Sequence, residues 1–547
     1  MGKYSKNITH NRIFKSAFFI FLIFMLLLSR LYWIQIIKSK EYKLAALKQR
    51  GKEMEIYPSR GTIYDRNLIP LTNRDKVPTL FFVKDYVLEN EEAMDFMKDV
   101  SKKSNNVKKD NSKIGEIELN RSLENEILPK GIFFAEKTLR YNQKNLLSHV
   151  IGYTKKTENK GESGIEKTFD DVLKKENIGS IYFEIDNKKN PILGGGYALV
   201  DNEKAKRPSN VQLTIDYHIQ KIVEKAMDEE GRKGSVIVSD VESGDIVAMA
   251  SRPNFNQEEV DDFLNRGDME LYNKGVQVSY PPGSLFKIVV LLAALEEDPS
   301  IINENFYCNG FEEINDVIIK CNKDEGHGKL SMKEAFAKSC NSTFIQLGER
   351  VGSEKIIDMA RRLGYGEKIN IGLMEEVKGN LPEGEEIKGP SIGNISIGQG
   401  SVEVTPLQVT NMMMILANEG IQKDLSIIKG IVTDNGNMMK KFNREKDEKI
   451  LPKKHCEIVN EYMNEVTISG TARTINLEDI GGAVGKTGSA QAVLNGRNAV
   501  HGWFAGYFPR KNPKYVITVF VEDNYSGSKD ALPIFEKVSR EIYEKNR

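Results

Sequence analysis

The chain has 547 residues, more than one domain usually holds, so we expect two or three folded units. Lys plus Arg and Asp plus Glu number 78 each, and the formal net charge of zero provides no overall field that would attract nucleic acid. A mean hydropathy of -0.42 excludes a protein made mainly of membrane spans but allows one anchor, and four cysteines are too few for a disulfide scaffold.

An apolar segment near the N-terminus predicts a membrane anchor. Residues 16–29 carry no charge, but 14 helical residues rise only ~21 Å, less than the ~30 Å hydrocarbon layer. A helix over 13–37 is long enough, with Tyr32 and Trp33 at the level of the headgroups. A cleaved signal peptide is the alternative, although no small-residue cleavage site follows the apolar run. Lys and Arg flank both ends, so the charges alone do not decide the orientation.

The pattern becomes denser after a Gly-rich and polar stretch, which indicates a domain boundary near residue 205. Residues 234–251 read as two strands joined by a tight turn, and residues 501–523 supply further strands before a closing helix over 532–545. Strands at both ends with a long helical middle predict one sheet assembled from distant segments. This is an α+β arrangement with a helical subdomain beside the sheet.

The first candidate site is the segment 279–287, SYPPGSLFK. The nonpolar run over 285–295 predicts a buried helix, which puts Ser284 at its start and Lys287 one turn later on the same face. Free N–H groups at a helix start stabilise an anionic oxygen, and a lysine in apolar surroundings can accept a hydroxyl proton. Ser-x-x-Lys recurs by chance, however, and Ser284 as a plain N-cap is the alternative.

The second candidate is Ser339-Cys340-Asn341, at the end of a helix that opens with a capping box over 331–334. A hydroxyl and an amide two residues apart at a helix end can face one cleft, where the hydroxyl relays a proton and the amide orients a peptide. The alternative is that the two polar side chains only terminate the helix.

The third candidate is Gly485-Lys486-Thr487-Gly488-Ser489. It is not a phosphate loop, because position 480, where the first glycine of that motif belongs, is Ile. Read as an edge strand, its glycines let a substrate backbone lie alongside, and the cation and hydroxyls suit a carboxylate.

Ser-x-x-Lys, Ser-x-Asn and Lys-Thr-Gly occur in the order given for penicillin-binding proteins. Over nearly its whole length the chain resembles a class B penicillin-binding protein, a monofunctional peptidoglycan D,D-transpeptidase. Further similar segments are 60–67, 149–153, 161–170, 213–216 and 397–408. Three positions depart from the family pattern: Cys340 where many relatives carry Asp, Ser489 where Thr is commoner, and Asn142 where Pro usually follows Arg-Tyr. None of them removes a catalytic group.

The resemblance implies an α+β penicillin-binding and β-lactamase-like transpeptidase domain, an antiparallel sheet with a helical subdomain, over 206–547. It implies a cytoplasmic tail over 1–12, the anchor over 13–37 and an elongated α+β pedestal over 38–205 before that domain. Because the substrate lies outside the cytoplasm, it also implies a single-pass protein of the cell membrane with a cytoplasmic N-terminus and an extracytoplasmic catalytic domain.

The resemblance also implies catalytic roles. Ser284 attacks the penultimate D-Ala carbonyl of a stem peptide, with Lys287 as the general base. Ser339 and Lys486 relay the proton to the departing D-Ala, and Asn341 holds the peptide amide. An amine from a neighbouring strand then resolves the acyl-enzyme and forms the crosslink.

Thr487, Gly488 and Ser489 are the implied binding positions for the terminal carboxylate, and the backbone N–H groups of Ser284 and Ser489 the implied oxyanion hole. No cofactor is required for this chemistry. The expected partners are stem peptides, β-lactams, the membrane, a glycan polymerase and other wall-synthesis proteins, with no nucleic acid. A separate polymerase is expected because about 170 residues between anchor and catalytic domain are too few for an added glycosyltransferase.

Cys308, Cys321, His327 and Cys340 fall within a short stretch of the chain. Three thiols and an imidazole are sufficient for a closed tetrahedral zinc site, so a structural zinc ion is one interpretation. A disulfide between Cys308 and Cys321, natural for an exported protein, and unlinked buried thiols are the alternatives.

Other functions use the same serine. A D,D-carboxypeptidase or β-lactamase delivers water instead of an amine, and a β-lactam sensor or scaffold has no turnover. The anchor and the long N-terminal module favour a synthase held in a complex. The intact motif residues argue against a degenerate site, and no His-Glu-x-x-His segment is present to transmit a signal.

Overall fold

A computed structural model describes residues 2–55, 60–102, 114–123, 126–129, 131–142, 144–155, 158–174, 179–184, 197–201, 209–264, 266, 269–445, 447–494, 496–523 and 526–547. The chain divides into two compact units. The first contains Met1–Ser59, Lys76–Leu139 and Glu176–Arg207, and the second contains Arg60–Asp75, Arg140–Lys175 and Pro208–Arg547. The predicted boundary between residues 205 and 206 lies outside the described residues, so the predicted domain limits stay a prediction.

The first unit begins with the apolar helix. It runs from Gly2 to Tyr32 and continues as the π-helical turn Trp33–Ile37, because no Gly or Pro interrupts residues 13–37. Among the described residues it is the one helix long and apolar enough to cross a membrane, over Arg12–Ile37 with a mean hydropathy of 2.2. The span lies where the sequence predicts an anchor.

The remainder of the first unit is α+β. One antiparallel sheet has the strand order Gly51–Glu55, Gly179–Glu184, Tyr197–Asp201, and another has the order Ile114–Glu118, Lys76–Val83, Ile132–Thr138. Its further helices are Ser39–Arg50, Lys84–Glu89 and Glu91–Lys102. In the last of these, Ala93 and Met97 follow each other at one-turn spacing and pack with Leu80, Ile117 and Ile132 in a small core.

Among the described residues, the second unit contains more helices and strands than the first. Its helices are Ser148–Ile151, Gly164–Thr168, Asp170–Leu173, Tyr217–Glu230, Lys287–Glu297, Met332–Ala337, Asn341–Val351, Ser353–Arg362, Ser391–Ser396, Pro406–Ala417, Lys453–Ile468 and Leu532–Lys545, with shorter helical turns at Val260–Asp262, Gly283–Phe286, Pro299–Asn303, Gly384–Ile387, Glu478–Ile480 and Gly527–Ala531. Its strands outside the central sheet are Ile63–Tyr64, Thr154–Lys155, Lys160–Gly161, Asn210–Leu213, Asn305–Cys308, Phe311–Ile314, Val317–Lys320, Gly328–Ser331, Ile421–Gln422, Ile428–Val432, Met438–Lys441 and Glu448–Lys449.

A five-stranded antiparallel sheet, the central sheet, organises this unit. Its order is Ile246–Arg252, Gly234–Asp240, Tyr515–Val521, Arg497–Phe508 and Val484–Leu494. Strands from both ends of the predicted domain therefore meet in one sheet, and the α+β prediction is confirmed. We call Val484–Leu494 the edge strand, since the sheet ends there.

The helix Lys287–Glu297, which we call the central helix, lies in the main core. All of its residues except the two glutamates at its end are buried, because the run between Lys287 and those glutamates is apolar on every side. The prediction of a buried helix is therefore confirmed.

A buried ion cluster ties together segments of the second unit that are distant in sequence. Glu166, whose side chain is fully buried, pairs with Arg60 at 2.8 Å and with Arg140 at 2.7 Å. Arg60 also pairs with Asp170 at 2.7 Å, and the hydroxyl of Tyr141 donates to Glu166 at 3.3 Å. The cluster thus fastens residue 60 to the segment 140–170.

Candidate active site

Ser284 lies in a short 3-10 turn, Gly283–Phe286, that leads directly into the central helix. Gly283 has a φ of 55°, and a Cβ at this position would lie 2.5 Å from the carbonyl oxygen of Ser489, so only glycine fits. The Ser284 side chain is partly exposed, whereas Lys287 is fully buried. The helix start has no side-chain cap, so the interpretation of Ser284 as an N-cap is wrong.

Ser339 lies in the turn between two helices. The first, Met332–Ala337, begins with the predicted capping box at Ser331. Ser339 has a φ of 55°, which reverses the chain, and Asn341 then begins the helix Asn341–Val351. The prediction that Asn341 ends the first helix is therefore wrong, because the left-handed residue separates the two helices.

The three motifs meet at the hydroxyl of Ser339. The Lys287 ammonium group donates to Ser339 O at 2.7 Å, to Ser339 Oγ at 3.2 Å and to Asn341 Oδ1 at 2.8 Å. From the edge strand, Lys486 Nζ donates to the same Ser339 Oγ at 3.0 Å. Two lysines from segments almost 200 residues apart therefore contact one hydroxyl, and Ser284 precedes Lys287 by one turn.

Burial perturbs both amines. It lowers the pKa of Lys287 to about 8, against an opposing effect of Cys340 and Cys321. Burial, together with the charge of Lys287, also lowers the pKa of Lys486 well below its ordinary value. An amine with a pKa near 8 is neutral in about a tenth of the molecules at pH 7, which makes it competent to accept a proton.

The edge strand runs close to the Ser284 turn. A Cβ on Gly488 would lie 2.9 Å from the carbonyl oxygen of Pro282. Thr487 is buried and its hydroxyl lies 2.5 Å from that of Thr471, while the exposed Ser489 accepts a hydrogen bond from the Gly527 N–H at 3.2 Å. The backbone of the edge strand thus lies against the serine turn, and the hydroxyls of Thr487 and Ser489 belong to the same segment of that strand.

The predicted Cys and His cluster also forms. The His327 Nδ1 atom lies 3.6 Å from the Sγ atoms of both Cys308 and Cys321, and the Cys321 and Cys340 Sγ atoms are 3.8 Å apart. The four ligand atoms all lie within 4.8 Å of one another. Every cysteine is free in this structure, which favours a metal site or unlinked thiols over a disulfide between Cys308 and Cys321, and the choice among them stays a prediction.

The family described as penicillin binding protein transpeptidase domain matches residues 234–540, more than half of the chain. The chain belongs to this family. The predictions of a class B penicillin-binding protein, of a transpeptidase enzyme and of its fold class are thereby confirmed. Stage V sporulation protein D of Bacillus subtilis is 29% identical over 95% of this chain and 83% of that protein. The peptidoglycan D,D-transpeptidase MrdA of Acinetobacter baumannii is 26% identical over 97% and 88%.

Solved penicillin-binding proteins share the fold of this transpeptidase. Penicillin-binding protein 2 in its complex with MreC from Helicobacter pylori is 25% identical, covers 90% of this chain and 99% of its own, and gives a TM-score of 0.65. A second similar chain comes from a peptidoglycan synthase complex that coordinates polymerization and crosslinking. It is 24% identical to this chain, gives a TM-score of 0.70, and covers 97% of this chain and 98% of its own.

Sequence reasoning missed one polar group of this transpeptidase site, Thr471. It lies in the loop after the helix Lys453–Ile468. Its hydroxyl contacts that of Thr487 in the Lys-Thr-Gly motif, which is distant in sequence and comes close only in the folded protein. The segment Ser469-Gly470-Thr471 resembles an ordinary helix end, so no local pattern in the sequence distinguishes it.

Proposed function

We propose that this penicillin-binding protein is a peptidoglycan D,D-transpeptidase that forms its acyl-enzyme on Ser284. The observation that carries the proposal is that the Ser339 hydroxyl accepts hydrogen bonds from both Lys486 and Lys287, and that Lys287 lies one helical turn after Ser284. A serine nucleophile needs a neighbouring base, and a buried amine of lowered pKa supplies one.

In the proposed reaction, neutral Lys287 accepts the proton of Ser284 while the serine oxygen bonds to the penultimate D-Ala carbonyl carbon. The amide bond to the terminal D-Ala breaks, and the proton that Lys287 took from Ser284 passes along the Ser339 hydroxyl and Lys486 to the departing amine. An amine of a second stem peptide then attacks the ester carbonyl. As the ester bond breaks and the crosslink forms, the proton released by the attacking amine returns along the same path to Ser284.

The proposed substrate contacts follow from the surroundings of Ser284. Asn341 holds the peptide amide, and the hydroxyls of Thr487 and Ser489 hold the terminal carboxylate while Gly488 allows the close approach. The oxyanion hole consists of the backbone N–H groups of Ser284 and Ser489. The contact distance of 2.5 Å that a Cβ on Gly283 would make with Ser489 O supports this pairing, because the two backbones touch.

A hydrolase is the alternative to the crosslinking enzyme. D,D-carboxypeptidase or β-lactamase activity differs only in the acceptor, and a sensor or scaffold would lack turnover. The relatives named peptidoglycan D,D-transpeptidase support the crosslinking enzyme. Because both substrates are wall strands, we propose that the N-terminus is cytoplasmic, the apolar helix anchors the chain, and the catalytic domain is extracytoplasmic.

A glycan polymerase is the proposed partner. The similar chain from a peptidoglycan synthase complex that coordinates polymerization and crosslinking supports this partner. The Helicobacter pylori penicillin-binding protein 2, which is in complex with MreC, supports a second protein partner.

Labelling with a fluorescent penicillin tests the nucleophile. The full chain in detergent is expected to become labelled covalently, and Ser284→Ala to lose the label completely. Ser300→Ala, an exposed serine away from the motifs, is the matched control and is expected to label like wild type. Label that persists in Ser284→Ala would refute the assignment.

Product analysis separates transfer from hydrolysis. Incubation with lipid-linked substrate and a glycan polymerase is expected to yield crosslinked stem-peptide dimers with wild type and none with Ser284→Ala. Shortened stem peptides without dimers would establish a carboxypeptidase instead.

We also propose that Cys308, Cys321, His327 and Cys340 bind a structural zinc ion. Bonds of about 2.3 Å to sulfur and about 2.1 Å to nitrogen in a tetrahedron imply S···S separations of about 3.8 Å and S···N separations of about 3.6 Å. The 3.8 Å and 3.6 Å separations of this cluster agree with those values. Zinc would hold the turn around Cys340, and thus Ser339 and Asn341, in place.

Metal analysis tests the zinc proposal. The full chain purified without chelator is expected to hold about one zinc per chain, and Cys321→Ser or His327→Ala to lose it. Cys456→Ser is the control, because Cys456 is equally buried but lies outside the cluster. Wild-type protein without bound metal would contradict the proposal and favour unlinked thiols.

A further inference from the structure

Among the described residues, the hydroxyl of Thr487 has one hydrogen-bond partner, the hydroxyl of Thr471. Their Oγ1 atoms are 2.5 Å apart, at the short end of the range for O–H···O hydrogen bonds. Thr487 is 6% exposed and Thr471 is partly exposed. In the described part of the chain neither hydroxyl has another hydrogen-bond partner, so each depends on the other for its orientation.

Backbone contacts fix the position of Thr471. Its N–H donates to the carbonyl oxygen of Ala337 at 3.2 Å, and the Ala472 N–H donates to Val466 at 3.0 Å. Gly470 permits this approach, since a Cβ there would lie 2.4 Å from Ala337 O. The loop is therefore fastened to the end of the helix that precedes Ser339, and Thr471 cannot move away freely.

The number of protons available determines which of the two hydroxyls donates the hydrogen bond between them. A carboxylate only accepts hydrogen bonds, so Thr487 must donate its single proton to bind one. The Thr487 oxygen can then only accept from Thr471, which must donate. If Thr487 instead donated to Thr471, its lone pairs would face the carboxylate and repel it.

We propose that Thr471 is a positioning residue. Its hydroxyl donates to Thr487 and so directs the Thr487 proton at the carboxylate of the stem peptide or of a β-lactam. The proposal rests on the proposed function, in which Thr487 binds that carboxylate. A chain of two hydroxyls also polarises the terminal donor, which strengthens its bond to an anion.

The test compares a penicillin with its methyl ester on the full chain in detergent. Thr471→Val keeps the shape of the side chain but removes the hydroxyl. We expect the second-order acylation rate with the free acid to fall roughly 3- to 10-fold, which is the worth of about one hydrogen bond. Acylation by the ester is measured by incubating the protein with the ester for long times and then labelling the remaining free sites with fluorescent penicillin. The rate with the ester is expected to stay within twofold of wild type. Thr471→Ser is expected to restore the rate with the acid.

A second Thr–Thr pair in the same unit supplies the control. Thr410 Oγ1 lies 2.9 Å from Thr518 Oγ1, and Thr410→Val removes the same group without touching the motifs. It is expected to leave both acylation rates unchanged.

Two results would overturn the inference: an unchanged rate with the acid in Thr471→Val, or an equal loss with acid and ester, which would mean a merely structural role. Failure of the proposed function would give a different result: Ser284→Ala would still be labelled by fluorescent penicillin, in an experiment that does not involve a Thr471 variant.

Discussion

Replacing Glu166 by Gln tests how much the buried ion cluster contributes to the stability of the second unit. Glu166 is fully buried between the guanidinium groups of Arg60 and Arg140. Gln keeps the shape and one carbonyl oxygen, but it loses the negative charge and turns an NH2 group toward a guanidinium donor. The change therefore removes charge compensation without creating a cavity.

The expected loss of unfolding free energy depends on the partners that each arginine keeps after the substitution. Arg60 keeps Asp170 at 2.7 Å. Of the described carboxylates, Glu166 alone pairs with Arg140, whose other partners are neutral oxygens such as Gly61 O at 2.6 Å, and its Nη2 atom has no hydrogen-bond partner in the described part of the chain. Loss of one partner of a buried pair costs about 3–5 kcal/mol of unfolding free energy. At about 2 °C per kcal/mol for a large domain, the midpoint of thermal unfolding should fall by roughly 6–10 °C.

Thermal unfolding of the full chain in detergent measures this shift. Glu385→Gln is the control, since its ion pair with Lys388 is exposed and should contribute nothing measurable. Adding Arg140→Met to Glu166→Gln is expected to recover part of the loss, because it removes the uncompensated charge. A Glu166→Gln protein whose unfolding midpoint stays within 2 °C of wild type would refute the reasoning.

Three further predictions concern the chemistry of the site. Burial lowers the pKa of Lys287 to about 8, so the amine loses its proton as the pH rises towards that value. The rate of penicillin acylation should therefore rise about tenfold per pH unit below pH 8 and level off above it. A rate that is constant from pH 6 to 8 would contradict Lys287 as the base. Ser339→Ala should lower the acylation rate about 100- to 10,000-fold, as loss of proton relay does, with an unchanged unfolding midpoint, and wild-type rates would exclude the relay. Gly488→Ala should slow acylation while every catalytic side chain remains, because the new Cβ would meet Pro282 O at 2.9 Å; a wild-type rate would show that the strand shifts without consequence.

The local pattern of the sequence predicted the elements that carry the motifs. The apolar run over 285–295 predicted the central helix, and the strand-like runs within 234–251 and 501–523 predicted strands of the central sheet from both ends of the domain. These predictions succeeded because periodicity and burial of a strand or helix are properties of the segment itself. The order of three short motifs then identified the family, which each motif alone left open.

Contacts between distant segments could not be predicted in this way. No pattern indicates that Thr471 contacts Thr487, or that Arg60 reaches Glu166 across 106 positions. The Cys and His cluster was found from residue type alone, and its geometry depends on pairing of the strands Asn305–Cys308 and Gly328–Ser331. The turn at Ser339 was also missed, since a positive φ at a serine has no signal in the sequence.

The glycines around Ser284 explain why the motifs contain more than catalytic groups. The Gly283 N–H donates to Gly398 O at 2.9 Å, and a Cβ on Gly398 would lie 2.3 Å from Gly283 O. On its other side, the same turn touches Ser489 O, where a Cβ on Gly283 would lie at 2.5 Å. The backbone of the serine turn is therefore held between two other backbone segments, which restricts where Ser284 can lie. Chemistry at Ser284 depends on these backbone contacts as well as on its lysines, because a nucleophile displaced by about 1 Å can lose 100-fold in rate.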